Sequence, residues 1–203
     1  MTECYTQFVF TANNLEPYFE KLSEKSWVIL PVEMSLASEL LESAQTKQIG
    51  FRPATTSRLT EPEPGLRSDR ILWLDEQTAE LGSSDRKALG ALKKLRSELR
   101  DYFRVSLENL ECHYSAYEPG QFYVRHHDTT QQHNQRVFSF VIYLNFDWQE
   151  ADGGHLVGYG ADETVLFDVR PEAGQMILFK SEIEHEVQVA HRTRYALTGW
   201  IRK

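Results

Sequence analysis

Cysteine is scarce in this chain of 203 residues, with only Cys4 and Cys112 present. Two cysteines are too few for a disulfide framework or a four-ligand zinc ribbon. Long apolar runs are also missing, since none approaches the roughly 20 residues that a membrane-spanning helix needs. The N-terminal Met-Thr-Glu-Cys-Tyr lacks the basic and apolar regions of a secretory signal. These absences predict a cytoplasmic protein that does not enter a membrane.

Positive charge is in deficit. The sequence has 22 lysines and arginines against 30 aspartates and glutamates, which gives a net charge of −8 at pH 7. A protein that binds nucleic acid non-specifically usually presents a cationic surface that displaces counterions from phosphate. The short basic cluster Lys93, Lys94 and Arg96 is more typical of the solvated face of a helix. We therefore expect no nucleic-acid partner.

Apolar and charged residues occur in globular proportions, 41% and 26%, and helical periodicity dominates the first half of the chain. Helices are predicted at three places: 15–26, from Ser35 onward, and 84–103. Short strands are predicted at two places: 27–30 and the second half of 67–73. The stretch between Ala54 and Leu66 is rich in Thr, Ser, Pro and Glu, which predicts a mobile surface loop.

From His113 onward the sequence changes to short strands separated by turn signals such as Pro119-Gly120 and Asp152-Gly153-Gly154. Eight strands are predicted: His113–Glu118, Gln121–His126, Val137–Phe146, His155–Tyr159, Thr164–Val169, Gln175–Lys180, Glu186–Ala190 and Thr193–Ile201. This pattern predicts a β-sandwich or a jelly roll (a cupin-like double-stranded β-helix), whose two sheets enclose a core. We expect a mainly β protein with N-terminal α-helices: one domain over 1–203, with helical support and a flexible loop in 1–110 and the jelly-roll core in 111–203.

His126 and Asp128 form a His-x-Asp pair at the end of a predicted strand. Side chains at positions i and i+2 share one face of a strand and are about 6.5 Å apart along the backbone. His127 therefore points to the opposite face. A His-x-Asp pair is a weak signal alone, and a hydrogen-bonded strand histidine explains His126 equally well.

A third ligand has to come from another strand, and His185, just before the predicted strand 186–190, is the best-placed histidine. Two histidines and one carboxylate on one face of an octahedral metal make a facial triad, which leaves three positions open for substrates. The donor set is typical of a non-haem Fe(II) oxygenase.

Arg194, nine residues after His185, strengthens this interpretation. Along its predicted strand Arg194 shares a face with Thr198 and Trp200, whereas the opposite face is apolar. A guanidinium inside a barrel is costly unless an anion meets it, and it binds a carboxylate through two parallel charge-assisted hydrogen bonds. The alternation along the strand at 137–146 places Tyr143 where its phenol adds a donor to that anion. Taken alone, Arg194 would fit better as a surface arginine on an edge strand.

Taken together, these residues resemble the iron- and 2-oxoglutarate-dependent dioxygenases, and among them the prolyl 4-hydroxylases of the hypoxia-inducible-factor type and their bacterial relatives. Five stretches carry the resemblance: Tyr117-Glu-Pro-Gly-Gln-Phe-Tyr123-Val-Arg-His126-His-Asp128, Val141-Ile-Tyr143-Leu-Asn145, Gly153-Gly154, His185-Glu-Val-Gln, and Thr193-Arg194-Tyr-Ala-Leu-Thr-Gly-Trp200. Arg67-Ser-Asp69-Arg70-Ile-Leu-Trp73 resembles the same subgroup outside the metal motif. The similarity extends from about Phe51 to Ile201.

The resemblance implies a role for each matching position. Three side chains would bind Fe(II) and carry catalysis: His126, Asp128 and His185. Four would line the 2-oxoglutarate pocket: Arg194, Tyr143, Tyr117 and Thr198. Among these, Arg194 would take the distal carboxylate with the help of Tyr143, and Tyr117 would lie near the metal-bound end. Four more would lie near a bound polypeptide: Arg67, Asp69, Trp73 and Trp200. The loop from Ala54 to Leu66 resembles the finger that folds over the target in this family.

The implied reaction is hydroxylation of a prolyl residue in a protein, with Fe(II) as cofactor, 2-oxoglutarate and dioxygen as co-substrates, and ascorbate as a candidate further cofactor. In bacterial relatives the target resembles a switch-loop proline of elongation factor Tu. Hydroxylation of a small molecule such as a free amino acid stays open. A repair dioxygenase for alkylated bases is disfavoured because Trp200 occupies the position of that family's second arginine. A non-catalytic jelly-roll binding module would be expected to lack the triad or the arginine.

Overall fold

A computed structural model describes residues 10–12, 14–55, 65–74, 81–129 and 134–203. Most of the predicted surface loop from Ala54 to Leu66 lies outside these residues. Within the described ranges, no helix is both long and apolar enough to cross a membrane.

Three α-helices form where the periodicity predicted them. They are α1 (Glu16–Lys25), α2 (Met34–Thr46) and α3 (Ser83–Phe103), and two short 3₁₀ turns occur at Gln48–Gly50 and Glu150–Asp152. The backbone N–H of Gly82 donates to the buried carboxylate of Asp85 in the first turn of α3, which satisfies one of the donors left free at a helix start.

In the described part of the chain, eleven strands form two antiparallel sheets. Their bounds are β1 (Trp27–Pro31), β2 (Arg52–Pro53), β3 (Arg70–Trp73), β4 (Asn109–Tyr117), β5 (Tyr123–His126), β6 (Arg136–Tyr143), β7 (Leu156–Tyr159), β8 (Val165–Val169), β9 (Gln175–Lys180), β10 (Glu184–Val187) and β11 (Arg194–Arg202). The larger sheet has the order β1-β9-β6-β11-β4-β3-β2, and the smaller has the order β5-β10-β7-β8. This mainly β architecture of two facing antiparallel sheets confirms the predicted jelly-roll class.

The seven-stranded sheet buries a different set of side chains on each face. On β6, Phe138, Phe140 and Ile142 pack with the helices in one apolar cluster, whereas Val141 and Tyr143 belong to a second cluster between the sheets. The same alternation divides β11, because its apolar face joins the helical cluster while Arg194 faces the space between the sheets. The helices therefore cover the outer face of this sheet, and its inner face remains for the site.

Two boundaries differ from the sequence predictions in ways that matter for the site. Strand β4 begins at Asn109 rather than at His113, because its pairing with β11 continues to Arg202. Strand β10 spans Glu184–Val187, so that His185 lies inside a strand and not before it. The N-terminal half contributes β1, β2 and β3 to the larger sheet in addition to its helices.

Candidate active site

Three candidate ligands converge in the space between the two sheets. His126, the last residue of β5, is the direct cross-strand partner of His185 on β10. Asp128 lies just beyond the end of β5, where the chain bends. One ligand atom from each of the three residues lies within 4.8 Å of the other two. The structure therefore brings together the three residues that the sequence singled out.

Both histidines are oriented for binding through Nε2. The Nδ1 atom of His126 lies 2.8 Å from the carbonyl oxygen of Val124, and Nδ1 of His185 lies 2.9 Å from that of Ile183. Donation from Nδ1 fixes the tautomer in which Nε2 carries a free lone pair. The two Nε2 atoms lie 3.7 Å and 3.5 Å from oxygens of Asp128.

These spacings fit a single metal ion. Neighbouring ligand atoms of an octahedral ion with bonds of about 2.1 Å are about 3 Å apart, so small side-chain adjustments bring the three atoms onto one centre. Two imidazole nitrogens and one carboxylate oxygen are also the donor set of non-haem Fe(II) sites. The residues present therefore fit Fe(II).

Protonation states favour metal binding as well. Burial is the main cause that lowers the pKa of His185 to about 4, so its imidazole is neutral near pH 7. Burial alone would raise the pKa of Asp128, but His185, His126 and the Ser139 hydroxyl hold it well below its usual value. A neutral imidazole and an ionised carboxylate are the forms that bind a metal.

His127 lies beside the triad in sequence but is turned away from it. Its ring is exposed, and its Nδ1 lies 3.0 Å from the carbonyl oxygen of Glu182. The alternation of strand side chains correctly separated this histidine from His126.

Arg194 is 1% exposed and faces the same space. Its Nε donates to the carbonyl oxygen of Gly154 at 2.9 Å. Gly154 has a φ of +67°, and a Cβ there would lie 3.0 Å from Cδ of Arg194, so glycine permits this close approach. Among the described residues no carboxylate forms an ion pair with Arg194. A buried guanidinium without a counter-ion calls for an anionic ligand.

Two tyrosines flank the Arg194 guanidinium. Its central carbon lies 5.1 Å from the ring centre of Tyr117 and 5.4 Å from that of Tyr143. The Tyr143 hydroxyl is buried and makes no hydrogen bond of good geometry in the described part of the chain, and the Arg194 guanidinium is the polar group beside it. Burial raises the pKa of Tyr143, so its phenol keeps the proton and can donate. An orphaned donor beside an unpaired cation is the arrangement that a carboxylate completes.

The remaining predicted pocket residue, Thr198, also lines this space, but its hydroxyl already donates to the carbonyl oxygen of Phe140 at 3.0 Å. Tyr117 is the register partner of Arg194 on the neighbouring strand. The four residues predicted for 2-oxoglutarate thus come from β4, β6 and β11, which are adjacent in the larger sheet.

A cavity of about 590 Å³ is lined by the triad, by Arg194 and by the four residues predicted to meet a polypeptide. Asp69 is 1% exposed, and both its oxygens accept from Arg67, at 2.8 and 2.7 Å. Its carboxylate therefore orients Arg67 rather than presenting a free anion. Trp73 is 49% exposed at the mouth, with its ring centre 6.3 Å from that of Trp200.

Three further cavity residues were not assigned a role from the sequence. Tyr123 stacks on His126 with ring centres 3.5 Å apart. The central carbon of the Arg67 guanidinium lies 4.4 Å from the Tyr123 ring centre. Arg136 lies 3.5 Å over the Trp200 ring and is bonded to Glu111. His113 is 2% exposed, and its ring centre lies 4.6 Å from that of Trp73 and 5.3 Å from that of Trp200. Its position four residues before Tyr117, on the same strand face, was the available signal.

Comparison with known proteins agrees with this geometry. Residues 112–202 match the model of the 2OG-Fe(II) oxygenase superfamily, a stretch that includes the triad and Arg194. A PKHD-type hydroxylase of Picosynechococcus sp. is 34% identical over 156 residues, which are 72% of this chain and 70% of that protein. The crystal structure of a Pseudomonas putida prolyl-4-hydroxylase is 33% identical with a TM-score of 0.82, covering 93% of this chain and 99% of that one. Egl nine homolog 1 of Rattus norvegicus is 29% identical over 71% of this chain, and the match spans 44% of the rat protein.

Proposed function

The chain belongs to the 2OG-Fe(II) oxygenase superfamily, and from this premise we propose that it uses Fe(II), 2-oxoglutarate and dioxygen to hydroxylate a prolyl residue of a protein target. The observation that carries the proposal is the common cavity in which a His-Asp-His triad faces a buried arginine without a counter-ion. A metal and a carboxylate co-substrate satisfy both groups at once.

His126, Asp128 and His185 would hold the metal, which when bound couples decarboxylation of 2-oxoglutarate to insertion of one oxygen atom into the target. Arg194 would bind the distal carboxylate through its two terminal nitrogens, because its Nε is already committed to Gly154. The protonated Tyr143 hydroxyl would donate to the same carboxylate. These contacts orient the diacid so that its other end points to the triad.

Three features support a polypeptide target. The cavity is larger than a five-carbon diacid needs, which leaves room for a side chain of the target. Indole rings line its mouth, and Arg67 is held rigidly there by Asp69. A crystal structure that covers 93% of this chain is that of a Pseudomonas putida prolyl-4-hydroxylase. Elongation factor Tu is the candidate target that the family resemblance suggests.

The test is an incubation of the purified protein with Fe(II), 2-oxoglutarate and ascorbate, followed by mass spectrometry. One reaction receives a dialysed bacterial lysate, and a parallel reaction receives only the small-molecule filtrate. We expect one added oxygen on a proline of a lysate protein, dependent on 2-oxoglutarate and absent with the Asp128→Ala variant. Oxygen incorporation confined to the filtrate would instead establish a small-molecule hydroxylase and reject the protein target.

A further inference from the structure

Asp128 differs from the two histidine ligands in how its side chain is held. His126 and His185 are paired strand residues whose rings bond to carbonyls of their own strand segments. Asp128 lies beyond the end of β5, where the ladder no longer orients it. Its carboxylate is held instead from the opposite sheet, because the Ser139 hydroxyl on β6 lies 2.7 Å from Oδ2.

A second hydroxyl holds the first. Ser181, which directly follows β9, has its Oγ 2.8 Å from Oγ of Ser139. Ser181 is 0% exposed and Ser139 is 2% exposed, so bulk water does not compete for either hydroxyl. We call Ser139 and Ser181 the serine pair.

The direction of the two hydrogen bonds follows from proton counting. An ionised carboxylate only accepts, so the proton between Ser139 and Asp128 belongs to Ser139. A hydroxyl has one proton, and that of Ser139 is thereby used. Ser139 must then accept from Ser181, and the order of donation is Ser181 to Ser139 to Asp128.

We propose that the serine pair positions Asp128 for metal binding, with Ser139 fixing the carboxylate and Ser181 fixing Ser139. The Ser139 hydroxyl donates to Oδ2, which also lies 3.5 Å from Nε2 of His185, and Oδ1 lies 3.7 Å from Nε2 of His126. Rotation of the carboxylate would break the bond to Ser139, so this bond fixes the orientation in which Asp128 faces both imidazoles. Groups that orient a metal ligand typically contribute 10–100-fold to metal affinity.

This inference rests on the ligand set of the proposed function, but its test needs neither co-substrate nor target. Fe(II) is titrated anaerobically, against a competing chelator, into the metal-free forms of the parent, Ser139→Ala, Ser139→Thr, Ser181→Ala and the double alanine variant. Ser115→Ala is the matched control, because Ser115 is 3% exposed and lines the same cavity from β4. Thermal unfolding of each metal-free variant reports whether it is folded.

We expect Ser139→Ala to weaken Fe(II) binding about 10–100-fold and Ser139→Thr, which keeps the hydroxyl, to restore most of the affinity. Ser181→Ala should weaken binding less. The double variant should bind no more weakly than Ser139→Ala, because Ser181 acts through Ser139. Parent-like affinity of a folded Ser139→Ala protein would overturn the proposal, and so would additive losses in the double variant. Failure of the parent itself to bind Fe(II) would instead reject the proposed function.

Discussion

His126 and His185 are directly opposite each other on the antiparallel strands β5 and β10, with ring centres 4.3 Å apart. Opposite residues of such a pair have Cβ atoms about 4.5–5.5 Å apart, which places two imidazoles within reach of one ion. A slip of one residue would turn one ring to the other face of the sheet. The metal site is therefore encoded in strand register as much as in residue identity.

Two adjacent histidines provide the sharpest test of the metal site. Replacement His126→Ala removes a candidate ligand and should lower Fe(II) affinity by at least about 100-fold and abolish turnover. The exposed neighbour His127, which bonds to the carbonyl oxygen of Glu182, is the matched control. The affinity is measured by anaerobic titration with Fe(II) in the presence of 2-oxoglutarate, with the charge-transfer absorption of the iron–2-oxoglutarate complex as the signal. Equal metal binding by the two variants would contradict the assignment.

Arg194→Ala should raise the 2-oxoglutarate concentration needed for half-maximal turnover by at least about 100-fold. The reason is the loss of two charge-assisted hydrogen bonds, each contributing about 1.5–3 kcal/mol. Tyr143→Phe should raise it about 10-fold, through loss of one donor. Arg192→Ala serves as control, since that arginine is exposed and bonds to the backbone oxygens of Phe146 and Asp147. An unchanged 2-oxoglutarate requirement of the Arg194→Ala variant would contradict the assignment of Arg194 to the 2-oxoglutarate pocket.

His113→Leu should stabilise the protein. Nδ1 of His113 is buried and has no hydrogen-bond partner among the residues that the structure describes, which costs about 1–3 kcal/mol. The pKa of His113 is lowered to about 3, mainly by burial and in addition by the positive charges of Arg67 and Arg136. Between that value and about 6.5 the unfolded chain binds a proton that the folded chain does not, so the parent loses stability as pH falls through this window.

The pH dependence gives this prediction its control. Leucine at position 113 cannot bind a proton in the unfolded chain. The stabilisation by His113→Leu should therefore be larger at pH 5 than at pH 7 by about 2 kcal/mol. Urea unfolding of parent and variant at both values measures the difference. A stabilisation that is the same at the two pH values would show that His113 titrates normally in the folded protein.

Asp85→Asn should destabilise the helical support by about 3 kcal/mol at pH 7, as expected for breaking a buried charge pair. The carboxylate is 0% exposed and accepts from Lys47, from Tyr114 at 2.6 Å and from Ser43 at 2.9 Å. Asp101→Asn, on the exposed face of the same helix, should cost less than about 0.5 kcal/mol. Chemical denaturation compares them, and equal effects of the two changes would refute the role of Asp85.

Burial alone would raise the pKa of Asp85, but the hydrogen bond from Lys47 and then that from Tyr114 hold it below its usual value. A depressed carboxyl pKa stabilises the folded state above about pH 4, and this stabilisation disappears as pH falls through the folded-state pKa. The difference between the parent and Asp85→Asn should therefore shrink below pH 4. A difference that persists unchanged into acid would mean that the charge of Asp85 is not what stabilises this region.

The sequence predicted the faces of strands better than their ends. Alternation along β6 and β11 correctly placed Tyr143 and Arg194 toward the site and their neighbours toward the helices. This works because side-chain direction is a local property of an extended chain. The start of β4 was wrong because it depends on how far β11 continues beside it, which no local pattern reveals.

Contacts between sheets were the least predictable part of the site. Strand alternation puts Ser139 on the same face as Tyr143, but its bonds to Asp128 and Ser181 depend on the packing of distant segments. Among the described residues Nδ1 of His113 has no hydrogen-bond partner, which likewise depends on how Trp73 packs against it in the folded protein. Residue types at a regular spacing indicate which groups face inward, but not which partner each will meet.

The three ligands come together only when β5 pairs with β10 and Asp128, just beyond β5, accepts its hydrogen bond from Ser139 on β6. An unfolded chain has no equivalent site, so metal adds to the stability of the native state alone. At a free-iron concentration one hundred times the dissociation constant, this addition is about 2.7 kcal/mol. Iron starvation would then lower the fraction of folded molecules as well as stop catalysis. The lifetime of the protein in a cell would therefore depend on the supply of iron.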